Sequence, residues 1–181
     1  MRSVALITVF VVLAGVFCGG KTGSQAPTVT AKFAPEATGT LSEDAVVQLV
    51  KVLPTFGAAL KAGNWAPKQP TQDEGPIAAL TGFVESMNIP GVDDSLKKAG
   101  SSWADLRPTL YKVYAALGAL NIDAHATEMI ARMKQDTSAA AKKALKDYTA
   151  FQAACSQIPV ANKQIVTKHE QDLLPLRTIG R

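Results

Sequence analysis

Four side chains in this chain have the type and spacing to ligate a soft metal. His125, Met129 and Met133 fall at i, i+4 and i+8, so a helix would stack them on one face at roughly 6 Å intervals. An imidazole with two thioethers is a ligand set for copper(I) or haem iron in an oxidising compartment. His169, from a later helix, would complete it. The plainer alternative is that methionines at helical spacing pack in a core, and that His125, in the first turn of its expected helix, faces water. Covalent haem would need C-x-x-C-H and a di-iron bundle would need Glu-x-x-His, and the sequence contains neither.

Nucleophilic chemistry finds less support. The chain has two cysteines, too few for a disulfide framework. Cys155 sits in Ala153-Ala154-Cys155 on an apolar stripe with no base near it in sequence, which reads as a small buried residue. G-x-S-x-G and H-E-x-x-H are absent, and Ser-x-x-Lys spacings arise by chance in a chain of this composition. The paired acids Asp73-Glu74 and Asp93-Asp94 stand at turns, where carboxylates cap helices. No Gly-rich phosphate loop follows a strand, because no segment alternates as a strand does. The densest basic run, Lys142, Lys143 and Lys146, is followed by Asp147 and lacks interleaved aromatics. It reads as a solvated helix face, and nucleic acid is not an expected partner. Neither an enzymatic activity nor a cofactor is expected.

The N-terminus carries an address. Arg2 gives a minimal positive end, and Val4 to Phe17 is a 14-residue apolar run broken only by Thr8. As a helix it would reach about 21 Å, short of a ~30 Å hydrocarbon core, so it reads as a secretory signal rather than a span. Cys18-Gly19-Gly20 follows directly and resembles a bacterial lipoprotein signal, in which a lipid-modified cysteine becomes the new N-terminus. Phe17 departs from that pattern, which calls for a small residue there. Ordinary cleavage after Gly20 is the alternative. Residues 21–40, rich in Gly, Thr, Ser, Ala and Pro without helical period, read as a flexible tether. Such a segment reaches roughly 25 Å root-mean-square, enough to hold a domain off a membrane.

The elements that must position these residues are helical. Trp103, Leu106, Leu110, Val113, Leu117 and Leu120 recur at spacings of 3, 4, 3, 4 and 3, an unbroken seam that predicts the central staff of a bundle over 102–120. Before it, Thr40 and Glu43 fit a capping box for a helix kinked or split by Pro54 and ended by Gly63-Asn64. A second helix runs from Pro76 to Met87, and 93–99 forms at most a short one. After the staff, Asn121-Ile122-Asp123 predicts a tight reversal into a helical stretch reaching Gln157, with a bend or second cap at 136–138. A last helix, 161–174, is stopped by Pro175.

The fold expected is all-α, a small bundle of four to five helices after a signal sequence and a tether. The signal is 1–20, the tether 21–40, the bundle domain 41–176 and a disordered tail 177–181. Aromatics are 6% of the 181 residues, so much of the core must come from aliphatic and alanine side chains. The formal charge of +4 falls by one if Arg2 leaves with the signal. The function expected is that of a non-enzymatic extracytoplasmic protein of the bacterial envelope, periplasmic or at the outer surface. It would bind a protein, peptide or lipid partner and be membrane-anchored if Cys18 is lipidated. The alternative is a periplasmic metal or haem binder using His125, Met129, Met133 and His169.

Overall fold

The computed structural model describes residues 33–67 and 75–179, which form eight helices and no strand. They are α1 (Pro35–Thr38), α2 (Glu43–Ala62), α3 (Pro76–Ser86), α4 (Val92–Lys98), α5 (Trp103–Gln135), α6 (Ala139–Cys155), α7 (Val160–Lys168) and α8 (Leu174–Thr178). The all-α expectation holds. The number of helices exceeds four to five because short helices form at α1 and α8, where the sequence shows too few turns for a period to register, and because the short segment at 93–99 is a helix, α4.

The seam expected at 102–120 is the spine of the molecule. Leu106, Leu110, Val113 and Leu117 are buried on α5, together with Tyr111, Tyr114 and the small residues from Ala115 to Ala119. Over this stretch the helix is apolar nearly all round, as a helix surrounded by others must be. Helices α1, α2, α3, α4, α6 and α7 all pack on it. Its start is fixed twice: Ser102 Oγ accepts from the Asp105 amide at 3.2 Å, and Asp93 Oδ1 accepts from the Trp103 amide at 2.7 Å. Those two bonds hold the first turn in helical form ahead of Pro108, which lies inside the helix and deprives it of one backbone donor.

Four expectations are corrected. Asn121-Ile122-Asp123 is no reversal: α5 continues through it to Gln135, 33 residues and about 50 Å in all. Ile122 is buried on the continuing face, and Asp123 points outward to pair with Lys163 of α7 at 2.8 Å. The reversal falls at 136–138 instead, where Asp136 Oδ1 accepts from the Ser138 amide and Ser138 Oγ caps α6 through the Ala141 amide. The cap of α2 is Ser42, accepting from the Ala45 amide, rather than Thr40, and α2 runs unbroken through Pro54. Pro175 does not stop the last helix; it occupies the first turn of α8, where a missing N–H costs nothing.

The packed region begins earlier and ends later than the sequence suggests. Phe33 and Ala37, read as tether, are buried, with the Phe33 ring 6.0 Å from that of Phe151. Asn162, wholly buried on α7, ties this strap down: its Oδ1 accepts from the Leu41 amide and its Nδ2 donates to the Gly39 carbonyl, both at 2.8 Å. At the other end Leu176 is buried, and its carbonyl accepts from the Tyr114 hydroxyl at 3.1 Å. Arg177, placed in the expected tail, pairs with Glu170 at 3.2 Å. Among the described residues only α2 has the length and apolarity to cross a membrane, and its apolar side (Val46, Leu49, Val52, Leu53, Phe56, Leu60) is buried in this core.

Candidate functional site

The second half of α5 and the first half of α6 form a hairpin arm that leaves the core behind. The core follows α5 to Ala126 and resumes on α6 at Phe151. Past Ala126 no residue of α5 is buried, and on α6 Ala144 is the first that is. Apolar side chains nevertheless continue at helical spacing on both helices. Met129, Ile130 and Met133 extend the line of Ala126, and Ala141, Leu145 and Tyr148 surround Ala144; all six are half-buried. The two sets, 126, 129, 130, 133 and 141, 144, 145, 148, have the same i, i+3, i+4, i+7 pattern, so each helix turns one apolar face to the other. Two helices alone cover such a seam from one side only, and a third layer is what buries it fully. In the body α1, α2, α3, α4 and α7 supply that layer; the arm's residues keep part of their surface in water.

Charge surrounds the seam. Arg132 pairs with Glu128 at 2.5 Å and Lys143 with Asp147 at 3.1 Å, each one turn apart on its own helix. The Asp136 carboxyl at the tip is held below its ordinary pKa by the Ser138 amide and hydroxyl. Lys134, Lys142 and Lys146 are exposed and have no carboxylate partner among the described residues. The arm therefore combines a half-covered apolar seam containing two adaptable methionines with an unneutralised set of lysines.

The residues singled out for metal chemistry are separated in role. His125, Met129 and Met133 stand on the arm, His125 exposed and the two methionines half-buried in its seam. His169 closes α7 and belongs to a different cluster: its Nδ1 lies 3.2 Å from Asp172 Oδ2 and its Nε2 3.6 Å from Glu43 Oε1. Lys168 also pairs with Glu43 and is the first cause holding that carboxyl below its ordinary pKa. No group of three or more His, Cys, Asp and Glu side chains converges on a metal-sized position among the described residues. Cys155 is a free, buried thiol, pushed up to about 12 chiefly by burial and then by the Asp123 charge. That is the opposite of what a thiolate nucleophile needs. Cys18, the lipid-attachment candidate, lies outside the described residues, as does the signal sequence.

One polar cluster had no sequence signal. Glu85 Oε1 on α3 accepts from Arg107 Nε at 2.6 Å and from the Tyr111 hydroxyl at 2.7 Å, both on α5. Glu36 on α1 approaches Arg107 Nη1 at 3.6 Å, and the guanidinium lies 5.2 Å from the Tyr111 ring centroid. Burial pushes the Glu85 carboxyl up, but the bonds from Tyr111 and Arg107 outweigh it and leave its pKa lowered. The Tyr111 hydroxyl is pushed up to about 12 by burial and by Glu85. Glu85 and Glu36 both engage Arg107, and the Tyr111 hydroxyl also reaches the Thr81 carbonyl at 3.4 Å, so the cluster acts as a clasp joining three helices. Glu85 is 22 residues from Arg107 and 26 from Tyr111, and Glu36 lies farther off still, so no local spacing encodes the cluster.

No family model matches the chain, and no curated protein and no solved structure matches it either. The functional reading rests on the molecule's own geometry.

Proposed function

We propose that this is a non-enzymatic, extracytoplasmic helical protein that binds a protein partner on the α5–α6 arm. The observation that carries the reading is the half-burial of Met129, Ile130, Met133 and Leu145 along a seam beyond the described core, whose margin lies at Tyr148. A third helix laid along it would supply the missing layer, in the way an amphipathic segment fills an apolar groove through residues at i, i+3, i+4 and i+7. The free lysines at 134, 142 and 146 favour a segment with acidic flanks, which they would steer and orient more than they would tighten. The extracytoplasmic placement rests on the apolar run at 4–17 and the residues after it.

A photo-crosslinking side chain placed at 133, in cells that make the full chain, tests the site. One discrete adduct, lost when Ile130→Asp is added while the protein's abundance is unchanged, is the expected result. Absence of any adduct, or an adduct indifferent to Ile130→Asp, contradicts it. Fractionation of the same cells tests the address: the protein is expected outside the cytoplasm. Membrane attachment that Cys18→Ser abolishes would place a lipid on Cys18. His125, Met129 and Met133 do share one side of α5, so copper(I) is the control ligand. Stoichiometric copper(I) binding that Met129→Leu with Met133→Leu removes would favour the metal reading over the partner.

A further inference from the structure

Of the three methionines among the described residues, one is sealed and two are not. Met87 lies in the core, 0% exposed. Met129 and Met133 stand one turn apart on α5, past Ala126, and both keep part of their surface in water. A thioether that water can reach is a common target of mild oxidants. Cys155, the one cysteine among the described residues, is 2% exposed, and burial pushes its thiol up to about 12, so it holds little reactive thiolate at neutral pH. Oxidation of sulfur in the described fold is therefore directed to the arm.

The surroundings of the two thioethers decide what oxidation would do. They share the seam with Ala126 and Ile130 on α5 and with Ala141, Ala144 and Leu145 on α6. None of those five side chains carries a hydrogen-bond donor. A sulfoxide turns a flexible apolar side chain into a polar one whose oxygen must accept hydrogen bonds. Kept in the seam, that oxygen would be unpaired; turned to water, it takes the side chain out of the contact with α6. Either way the pairing of α5 with α6 weakens. The core, which follows α5 only to Ala126 and resumes on α6 at Phe151, contains neither residue.

We infer that Met129 and Met133 form an oxidation site, and that conversion of both thioethers to sulfoxides by a peroxide loosens the α5–α6 arm while the core stays folded. At each residue a sulfur lone pair attacks one peroxide oxygen. The S–O bond forms as the O–O bond breaks, sulfur gives up two electrons, and the departing hydroxide takes the remaining proton and leaves as water. A thiol-dependent sulfoxide reductase reverses the change, with the oxygen leaving as water and two thiols joining as a disulfide. This inference does not depend on a partner for the arm.

Brief treatment of the full chain with hydrogen peroxide at neutral pH, followed by peptide mass spectrometry and hydrogen exchange, tests it. Met129 and Met133 should each gain one oxygen at least about tenfold faster than Met87, which reacts only when the core opens. Amides of 128–135 and 141–148 should then exchange about tenfold faster, with those of 110–119 unchanged, and reductase treatment should restore the original rates. Met129→Leu with Met133→Leu keeps the side-chain volume and removes the sulfur, so peroxide should leave exchange in that arm unmoved. Met129→Gln with Met133→Gln, which sets a polar amide in the seam, should loosen the arm with no oxidant present. Oxidation of Met87 as fast as the other two overturns the inference. An arm whose exchange is unchanged once both residues carry oxygen overturns it equally, as does a leucine variant that peroxide loosens as it loosens the wild type.

Discussion

The two ends of α5 differ in what surrounds them rather than in how they fold. From Leu106 to Ala119 the helix is apolar nearly all round and other helices enclose it. From Met129 to Gln135 the same helix keeps an apolar stripe but, among the described residues, has no buried side chain and packs beside α6. The contrast shows that helical periodicity reports an apolar face without reporting how many layers will cover it. Where coverage is complete, the seam is explained by folding. Where it is half, the residual apolar surface is available to something else.

The largest effects should separate the two regions. Leu110→Ala and Leu117→Ala open cavities in the enclosed part and should each cost roughly 2–5 kcal/mol, measured by urea or thermal unfolding. Losses under half a kcal/mol, in either, would show that the seam is not enclosed. Asn162→Ala should cost about 1–3 kcal/mol, because it strands the buried Leu41 amide and leaves the Gly39 carbonyl without its donor. The same measurement checks it, and a neutral outcome would mean that the strap at 33–41 is held by Phe33 alone.

Alkaline pH probes the enclosed region without mutation. Tyr111 and Cys155 have folded-state pKa values raised to about 12 from ordinary values near 10 and 9. Their neutral forms are favoured by the fold, so the stability they contribute is fully present below about pH 9 and is lost as pH climbs toward 12. The melting temperature should fall across that window, and a flat profile would contradict the burial of both groups. Native Cys155 should resist a thiol reagent at neutral pH and react once the chain is unfolded, as peptide mass spectrometry would show. In the arm, Met133→Ala should cost less than about 1 kcal/mol, since a half-covered side chain forfeits only part of its burial. It should still abolish crosslinking from the neighbouring position 130. A cost equal to that of Leu110→Ala would erase the distinction between the regions.

How much of this could be read from sequence follows the range of each interaction. The 3-4-3-4-3 seam is local, and five of its six members are buried while Leu120 packs at the margin. The false reversal at 121–123 came from taking Asn and Asp as turn formers. Ala119, Ile122 and Ala126 keep the helical phase through it, and neither glycine nor proline interrupts, a signal that outweighs two polar residues. Phe33 gave no warning because a single aromatic has no period; what buries it is Phe151, 118 positions on. The clasp of Glu85, Arg107 and Tyr111 was invisible for the same reason. The methionines are visible in sequence as a stripe, which reads first as core and only secondarily as a ligand set. The structure leaves both methionines half-buried on a continuous α5, while His169 contacts Asp172 at the end of α7.

Hydrogen exchange along α5 tests the central claim most directly, since one continuous helix reports on both regions. The amides from Leu110 to Ala119 should exchange only through global unfolding, and those from Glu128 to Gln135 through local opening, with protection lower by several orders of magnitude. The boundary should fall close to Ala126. Uniform protection from Leu110 to Gln135 in the isolated protein would mean that the arm is already fully covered, and it would contradict the account.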